Sequence, residues 1–517
     1  MPMRPNFLLI VADELRADTL SAYGNPVCRT PNLDRMAAAG VRFADCAVTQ
    51  PTCTPSRASI LTGAFPSVLK TRMVGCHTPD DPRFLGHGLQ RAGYRCASVG
   101  KIHLVPQRAE PDVLRAAMAR EAGDGYYGFA EVDLVNGHGD GCFGPDYEAH
   151  AAAMGVDLDQ ARAQPRVGEH QLTPVLGPHR FRLPAELHSS HYLADRTIAL
   201  LDSARDDGRP LFAHVSFPDP HHPFTVPEPW ASMYDPAAVP APVPHGGRHM
   251  PSWYDSIFRG EALDVAEWKE RPQGPGIDRI IGTPPLDYSR VSEATWRAVR
   301  ASYYGMTSCL DQHVGRILDH LAATGMADST VVVFVADHGE YLGDHGFVGK
   351  GMHFDSALRV PLLVQGPGIQ AGHVIEQPAS TLDIAATLWD IAGVPEPEGL
   401  QGISFAPALR GAGPYRRTAA LTENDDDMMP ARMRTLTTAR WRLTKYGGGV
   451  HGELYDRIED PAETHNRYAD PGYAATRREL EAMLFEEVLC ACDHANARRQ
   501  QPAPPARHWI SSHHRTP

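Results

Sequence analysis

The sequence of 517 residues contains no apolar run long enough to cross a bilayer, and its first apolar run is short. Residues 7–12 are apolar, and two acidic residues follow them directly. A secretory signal needs roughly 7–15 apolar residues, and a membrane-spanning helix needs about 20. We therefore expect a cytoplasmic protein without a membrane partner.

Cysteine is scarce as well, with nine residues at irregular spacing. An odd number of cysteines without paired Cys-x-x-Cys motifs argues against a disulfide framework and against zinc knuckles. These features exclude the small disulfide-stapled classes of secreted protein.

Positive charge is in deficit, because 49 Lys and Arg residues face 62 Asp and Glu residues, for a net charge of −13. Such a chain is a poor partner for nucleic acid or for an anionic membrane surface. A site for an anion would therefore have to create its own local positive potential. The 42% hydrophobic and 21% charged content is typical of a globular protein with a large core.

Four short apolar runs each end at a polar cluster. The runs are residues 7–11, 94–99, 211–217 and 331–336, and they lead into Asp13, Lys101, Asp219 and Asp337. Helices are predicted between them at residues 30–40, 84–93, 191–205 and 295–325. Near-continuous apolar strands separated by helices indicate an α/β fold with a mostly parallel sheet between helices. Since ligands bind at the carboxyl ends of such strands, we expect the four clusters to form one site.

The chain divides by pattern into three parts. Residues 1–410 form the predicted catalytic domain, with irregular lid or specificity segments at about 105–185 and 218–290. Residues 411–493 form a predicted C-terminal subdomain of edge strands and a terminal helix, and residues 494–517 form a flexible tail or an arm to another subunit. We expect aromatic residues of the irregular segments to wall a narrow, lidded pocket. They are Tyr126, Tyr127, Trp230, Trp253 and Tyr254.

The stretch PTCTPSRASILTG at residues 51–63 places Cys53 at the start of a predicted helix, because Pro55 suits a first helical turn and Gly63 a helix end. Free backbone N–H groups and the helix dipole favour an anion there, and Arg57 lies one turn further on the same face. On these residues alone, Cys53 is either a buried structural cysteine or an activated thiolate.

Asp13-Glu14 and Asp337-His338 each follow a predicted strand, and a helix-capping role is the alternative for the first pair. Two acids, a histidine and an atom of residue 53 suit one divalent cation. Calcium and magnesium prefer carboxylate oxygens, whereas an imidazole suits manganese or zinc.

Further candidates are Lys101, His103, His221 and Lys350. Lys101 and His103 lie two residues apart on an extended segment, His221 stands in the proline-bracketed turn Asp219 to Phe224, and Lys350 lies in GFVGKGMHF. Taken singly, none is decisive, because a solvated lysine or a structural histidine is the more common explanation.

The motifs together resemble the type I sulfatases, in which the cysteine of C-x-P-S-R is oxidised to formylglycine. They follow the family's order and rough spacing from residue 6 to about residue 466. They are IVADELRAD, TPNLDRMAAAGVRF, CTPSR, GYRCASVGKIHL, SFPDPHHPF, VVVFVADHGEYLGDHG, KGMHFDSALRVPLLV and ELYDRIEDPAETHN.

The resemblance implies an alkaline-phosphatase-like α/β sandwich with a small antiparallel C-terminal sheet. It implies that a formylglycine-generating enzyme modifies Cys53 and that one divalent metal is bound, calcium first and manganese or magnesium as alternatives. The implied metal ligands are Asp13, Glu14, Cys53 as formylglycine, Asp337 and His338. Arg57 would hold the hydrated formylglycine, Lys101 and Lys350 would bind sulfate oxygens, and His103 and His221 would handle protons. Glu14 and His338 depart from members that carry Asp and Asn there.

The implied activity is hydrolysis of a small-molecule sulfate monoester. Phosphonate monoester and phosphodiester hydrolases are the first alternative, because they share the nucleophile and an N-terminal D-x-x-R-A-D like that of Asp13 to Asp18. The pair Lys101 and His103 favours the sulfatases. A catalytically silent binding relative is the second alternative, and a homo-oligomer is compatible with all three.

Overall fold

A computed structural model describes residues 4–119, 125–163, 172, 177–260, 287–426, 429, 432–448 and 452–492. Its strands are β1 (Asn6–Ala12), β2 (Val41–Phe43), β3 (Cys46–Ala47), β4 (Arg95–Gly100), β5 (Glu131–Leu134), β6 (Leu211–Phe217), β7 (Thr330–Ala336), β8 (Leu362–Gln365), β9 (His373–Ile375), β10 (Ala379–Ser380), β11 (Ala419–Asn424), β12 (Met433–Thr438), β13 (Trp441–Tyr446) and β14 (Gly452–Asp456).

The helices are α1 (Pro31–Ala39), α2 (Cys53–Thr62), α3 (Pro66–Leu69), α4 (Leu85–Arg91), α5 (Glu110–Met118), α6 (Pro145–Ala153), α7 (Leu158–Ala163), α8 (Ser189–Asp207), α9 (Trp253–Phe258), α10 (Glu293–Ala323), α11 (Asp355–Leu358), α12 (Asp383–Ala392), α13 (Ala406–Leu409) and α14 (Ala474–Cys490). The predicted strands correspond to β1, β4, β6 and β7, and the predicted helices to α1, α4, α8 and α10. These predictions are confirmed.

The large sheet has eight strands in the order β5-β4-β6-β1-β7-β8-β2-β9. Its first five strands are mutually parallel, and β8 runs antiparallel to β7 and β2. Every residue of β6 and β7 is buried. Because successive side chains point to opposite faces of a sheet, both faces of these strands are covered. The chain thus has the α/β sandwich fold that the apolar runs predict.

The four-stranded antiparallel sheet β11-β12-β13-β14 lies at the C-terminal end of the described chain. Helix α14 packs on it through Leu480 and Leu484, which share an apolar cluster with Leu421 and Leu436. A partly buried ion pair connects this region to the rest of the chain, because Arg457, directly after β14, lies 2.6 Å from Asp45, between β2 and β3. The small sheet is therefore packed firmly against the rest of the protein.

The segment 105–185 was expected to be irregular, but its described part contains α5, β5, α6 and α7. These elements are short, and β5 has only four residues, of which Glu131 and Asp133 are polar. Periodicity is weak over such lengths, which explains the difference. The predicted tail at 494–517 lies outside the described residues. Among the helices that the structure describes, none combines the length and apolar character needed to cross a bilayer.

Candidate active site

The polar clusters after β1, β4, β6 and β7 meet at one edge of the sheet. The backbone N–H of Asp13 donates to the Phe217 carbonyl at 3.1 Å, and that of Asp337 donates to the Ala12 carbonyl at 3.1 Å. The backbone N–H of Lys101 donates to the Ser216 carbonyl at 3.0 Å. Parallel pairing of the strands thus brings Asp13, Lys101 and Asp337 together, as the sequence predicts.

Helix α2 begins at Cys53, and all of its residues are buried. The Cys53 Sγ atom lies 3.2 Å from Nε2 of His338, 3.6 Å from Oδ1 of Asp13 and 3.9 Å from Nζ of Lys101. The Ser56 hydroxyl donates to the Asp337 carbonyl at 2.5 Å and so fixes the first turn of the helix against β7. The start of α2 therefore faces the polar cluster directly.

Arg57 connects the residues of this cluster through hydrogen bonds. Its Nε donates to Oδ2 of Asp337 at 2.8 Å, and its Nη1 donates to the Lys101 carbonyl at 2.8 Å and to the Ser216 hydroxyl at 2.6 Å. Burial opposes its positive charge, but Asp337 and Asp13 outweigh that effect and raise the pKa of Arg57. The guanidinium is thus a permanent cation on the inner side of residue 53.

Asp13, Cys53, Asp337 and His338 each offer a ligand atom, and these atoms all lie within 4.8 Å of one another. Nδ1 of His338 lies 2.9 Å from the Gly339 carbonyl, so it carries the proton and leaves the Nε2 lone pair directed at the cluster. Burial acts to raise the pKa of Asp13, but Lys101, His221 and Arg57 hold it well below its ordinary value. Two carboxylates and one oriented imidazole fit a divalent cation.

The structure does not place the Glu14 carboxylate in that group. The Glu14 backbone N–H donates to Oδ1 of Asp337 at 3.0 Å, whereas Oε2 lies 2.9 Å from Nε2 of His221 and 3.1 Å from Nζ of Lys350. The backbone of Glu14 is left-handed, with φ of 66°, which directs its side chain away from Asp13. In this arrangement Glu14 forms an ion pair with Lys350 and lies against His221.

Lys350 and His221 form a pair, with Nζ and Nε2 2.8 Å apart. Burial lowers the pKa of His221 well below its ordinary value, with Glu14 acting in the opposite direction and His138, His222 and Lys350 reinforcing the decrease. Burial also opposes the charge of Lys350, but Cys53 and Glu14 raise its pKa above the ordinary value. The lysine is therefore the proton donor in this pair and the imidazole the acceptor.

Lys101 and His103 line the same cavity as Cys53. The Lys101 side chain is fully buried and forms an ion pair with Asp13. Burial lowers the pKa of His103 well below its ordinary value, and Lys101 and Arg57 contribute to the decrease. The four predicted residues Lys101, His103, His221 and Lys350 thus line the same cavity as Cys53.

The cavity above Cys53 has a volume of about 460 Å³. None of the predicted aromatic residues lines it, so that prediction is wrong. Tyr127 packs against Phe84, and Tyr126 packs against Tyr127. Trp230 packs near His313. Tyr254 donates to Glu453 in the C-terminal sheet, where Trp253 packs against Tyr446. Their large apolar surfaces are used to join segments. The outer wall contains Val74, Gly75, Pro106, Gln107, Arg108, Gly351, Asp426 and Met429.

Two histidines of the site were missed by sequence reasoning. His138 lies 2.9 Å from Nζ of Lys101 and stacks on His221, and Nδ1 of His222 lies 3.4 Å from Oε2 of Glu14. A signal for the first was the sequence Asn136-Gly137-His138-Gly139, because glycines on both sides of a histidine suggest a tight loop. His222 was hidden by its neighbour His221 in the same turn.

Comparison with known proteins agrees with this geometry. The family described as "Sulfatase" matches residues 5–394, and the family described as "N-sulphoglucosamine sulphohydrolase, C-terminal" matches residues 343–488. The multifunctional alkaline phosphatase superfamily protein PehA of Trinickia caryophylli is 31% identical over 95% of this chain and 96% of its own length. An arylsulfatase of Clostridium perfringens is 28% identical over 94% of this chain and 95% of its own.

Among solved structures, a phosphonate monoester hydrolase of Agrobacterium radiobacter is similar with a TM-score of 0.78 and 28% identity, covering 96% of this chain and 97% of that one. The fold, the strand-end residues around Cys53 and the family matches agree over nearly the whole chain. The chain therefore belongs to the sulfatase family of sulfuric ester hydrolases.

Proposed function

We propose that the protein hydrolyses small sulfate monoesters to an alcohol or phenol and inorganic sulfate, with residue 53 as the nucleophile after oxidation of the cysteine to formylglycine. The observation that carries this proposal is the set of cations around Cys53. Arg57 lies behind it, and Lys101 and Lys350 line the cavity with it.

A sulfate monoester is an anion and therefore repels a nucleophile. The positive charges of these residues would offset that repulsion. Buried cations fixed in advance stabilise the negative charge that develops in the transition state. Asp13, Asp337 and Glu14 balance Arg57, Lys101 and Lys350 in formal charge. A divalent cation held by Asp13, Asp337 and His338 would therefore give the site a positive excess and supply Lewis acidity at residue 53. Calcium is the first expectation, with manganese or magnesium as alternatives.

A formylglycine-generating enzyme would have to act on Cys53 before catalysis. The hydrated formylglycine would supply one hydroxyl for attack on sulfur, with release of the alcohol. Deprotonation of the second hydroxyl would then let sulfate leave and restore the aldehyde. Other residues of the chain position residue 53 and bind the sulfate group. Arg57 holds residue 53 in position through the start of α2, and Lys101 and Lys350 bind oxygens of the sulfate group.

Proton transfer is divided between two groups of residues that line the cavity. The pair of Lys350 and His221, with Nζ and Nε2 2.8 Å apart, would protonate the leaving alcohol, with the proton coming from the Lys350 ammonium. His103, which lines the same cavity and has a lowered pKa, would accept a proton from the hydroxyl of residue 53. The arrangement thus provides separate groups for nucleophile and leaving group.

Hydrolysis of phosphonate monoesters is the second candidate. It is favoured by the likeness to the phosphonate monoester hydrolase of Agrobacterium radiobacter, whose TM-score is 0.78. A phosphonate monoester is also a singly charged tetrahedral ester, so the same cations would serve it. The small cavity supports a small substrate in either case.

The deciding experiment compares kcat/KM for 4-nitrophenyl sulfate and for 4-nitrophenyl phenylphosphonate, with Cys53→Ala as the blank. A larger value for the sulfate is expected. A larger value for the phosphonate would favour the second candidate instead. Absence of turnover of both by protein with formylglycine at residue 53 would contradict both assignments.

A further inference from the structure

His138 enters the cavity from a loop that follows the edge strand β5. Its Nε2 lies 2.9 Å from Nζ of Lys101 and 3.4 Å from Oδ2 of Asp13. Its ring lies parallel to that of His221, with the centroids 3.7 Å apart and an angle of 8° between the planes. Only 17% of the side chain is exposed, and it lines the same cavity as Cys53. This histidine thus connects Lys101 with His221.

The backbone geometry of the loop at residues 136–143 fixes the position of the His138 side chain. Its ends are joined by paired hydrogen bonds between the backbones of Asn136 and Phe143, at 2.7 and 2.8 Å. Gly137 and Gly139 on either side of His138 have φ of 76° and 56°. A Cβ atom at Gly139 would lie 2.5 Å from Cγ2 of Thr225, and one at Gly137 would lie 2.4 Å from the Gly141 carbonyl oxygen. Residues other than glycine would therefore shift the loop and withdraw the imidazole.

The contact between Lys101 and His138 has a defined direction. An ammonium group has three donors and no acceptor, so Nε2 of His138 must offer its lone pair to Lys101. Asp13 accepts a second N–H, and Sγ of Cys53 lies 3.9 Å from Nζ. Without His138, the carboxylate of Asp13 would be the main acceptor for the buried ammonium and would draw it away from the substrate side.

We infer that His138 is a positioning residue for sulfate ester hydrolysis, which holds the Lys101 ammonium between Asp13 and residue 53 so that it can contact a sulfate oxygen. This inference rests on the proposed function, because Lys101 is assigned there to the sulfate group. A hydrogen bond to a charged group contributes enough that its loss slows the reaction about ten- to a hundred-fold. The acceptor lone pair, rather than the ring itself, is the required feature.

Three substitutions separate these features. The side-chain oxygen of Gln reaches the position of Nε2, whereas that of Asn reaches only the position of Nδ1. We expect His138→Gln to keep most of the kcat/KM for 4-nitrophenyl sulfate, and His138→Asn and His138→Ala to lose about ten- to a hundred-fold. The exposed His150, on helix α6 of the same segment, provides the control substitution His150→Gln, which should leave kcat/KM unchanged. Thermal melting of each variant reports on folding.

A double-mutant cycle tests whether His138 acts through Lys101. If it does, the variant that combines Lys101→Met with His138→Ala is no slower than Lys101→Met alone, because the interaction is already lost. The loss caused by His138→Ala should also be the same for aryl sulfates whose leaving groups differ in pKa. Multiplied losses in the double variant, a loss that grows with leaving-group pKa, or a His138→Gln variant as slow as His138→Ala would overturn the inference.

A binding measurement separates failure of this inference from failure of the proposed function. The dissociation constant of inorganic sulfate, measured by calorimetry on the same variants, does not require turnover. We expect weaker binding by His138→Ala and His138→Asn and near-normal binding by His138→Gln. This pattern would support the positioning role even if the natural ester is a phosphonate. Equal sulfate binding by all variants would contradict it, even if the wild-type protein hydrolyses sulfate esters well.

Discussion

Replacement of Glu110 by glutamine should change how the stability of the protein depends on pH. Glu110 begins helix α5 and is completely buried. Its Oε1 accepts a hydrogen bond from the Tyr126 hydroxyl at 2.9 Å. Burial raises the pKa of this carboxyl from 4.5 to about 7, although Tyr126, Asn136 and the backbone N–H groups of Leu104 and His103 act to lower it. Glu110 therefore lies directly behind the segment that carries Lys101 and His103.

The direction of the effect follows from the two pKa values. Between pH 4.5 and pH 7 the folded protein keeps a proton on Glu110 that the unfolded chain has released. Stability from this group is thus complete below the unfolded pKa and is lost as pH rises through the folded pKa. At about 1.36 kcal/mol for each pKa unit, about 2.5 kcal/mol of the free energy of unfolding is lost between roughly pH 5 and pH 8.

Glu110→Gln removes this titration, because an amide stays neutral at every pH in that range. Urea unfolding followed by tryptophan fluorescence measures the free energy of unfolding at pH 5 and pH 8. The contributions of the other titrating groups are the same in variant and wild type, so they cancel when the two proteins are compared. The wild type should lose about 2.5 kcal/mol more than the variant between these pH values. The exposed Glu186 supplies the control Glu186→Gln, which should behave as the wild type does. Parallel pH dependence of Glu110→Gln and wild type would refute the reasoning.

Other predictions concern the site directly. Lys350→Met should lower kcat/KM for an aryl sulfate by about 100-fold or more, because a fixed cation at the developing charge is lost, and the exposed Lys70→Met should not. A decrease of less than about threefold would remove Lys350 from the mechanism. Treatment with a chelator should abolish turnover, and added calcium should restore it in the wild type but not in Asp337→Asn. Full activity after metal loss verified by elemental analysis would exclude the metal assignment.

The framework of the fold could be predicted from the sequence because its central strands are long and uniformly apolar. Strands β1, β6 and β7 each have seven residues, and nearly all of these residues are buried. Strands such as β2 and β9 have three residues each, which is too short for a periodic signal. Their position is decided by pairing with distant segments, and local sequence carries no record of that pairing.

The weak periodic signal of short strands also explains which residues of the site could be predicted from the sequence. Asp13, Lys101 and Asp337 follow strong strands, so the rule that strand ends converge was sufficient to group them. His138 follows the four-residue strand β5, which has no such signal. The aromatic residues were misplaced because tertiary contacts decide whether a ring packs or lines a cavity, and Tyr254 is fixed by Glu453, 199 residues away. The direction of the Glu14 side chain depends on a left-handed backbone that its sequence context does not reveal.

The most direct test of the central claim is the mass of the peptide that contains Cys53, measured on active protein produced together with a formylglycine-generating enzyme. Exchange of the thiol for an aldehyde makes this peptide about 18 Da lighter than the unmodified form. The account predicts that specific activity toward an aryl sulfate rises in proportion to the fraction of lighter peptide, and that Cys53→Ser and Cys53→Ala have no turnover. Full activity in protein that retains only the plain thiol at residue 53 would contradict it.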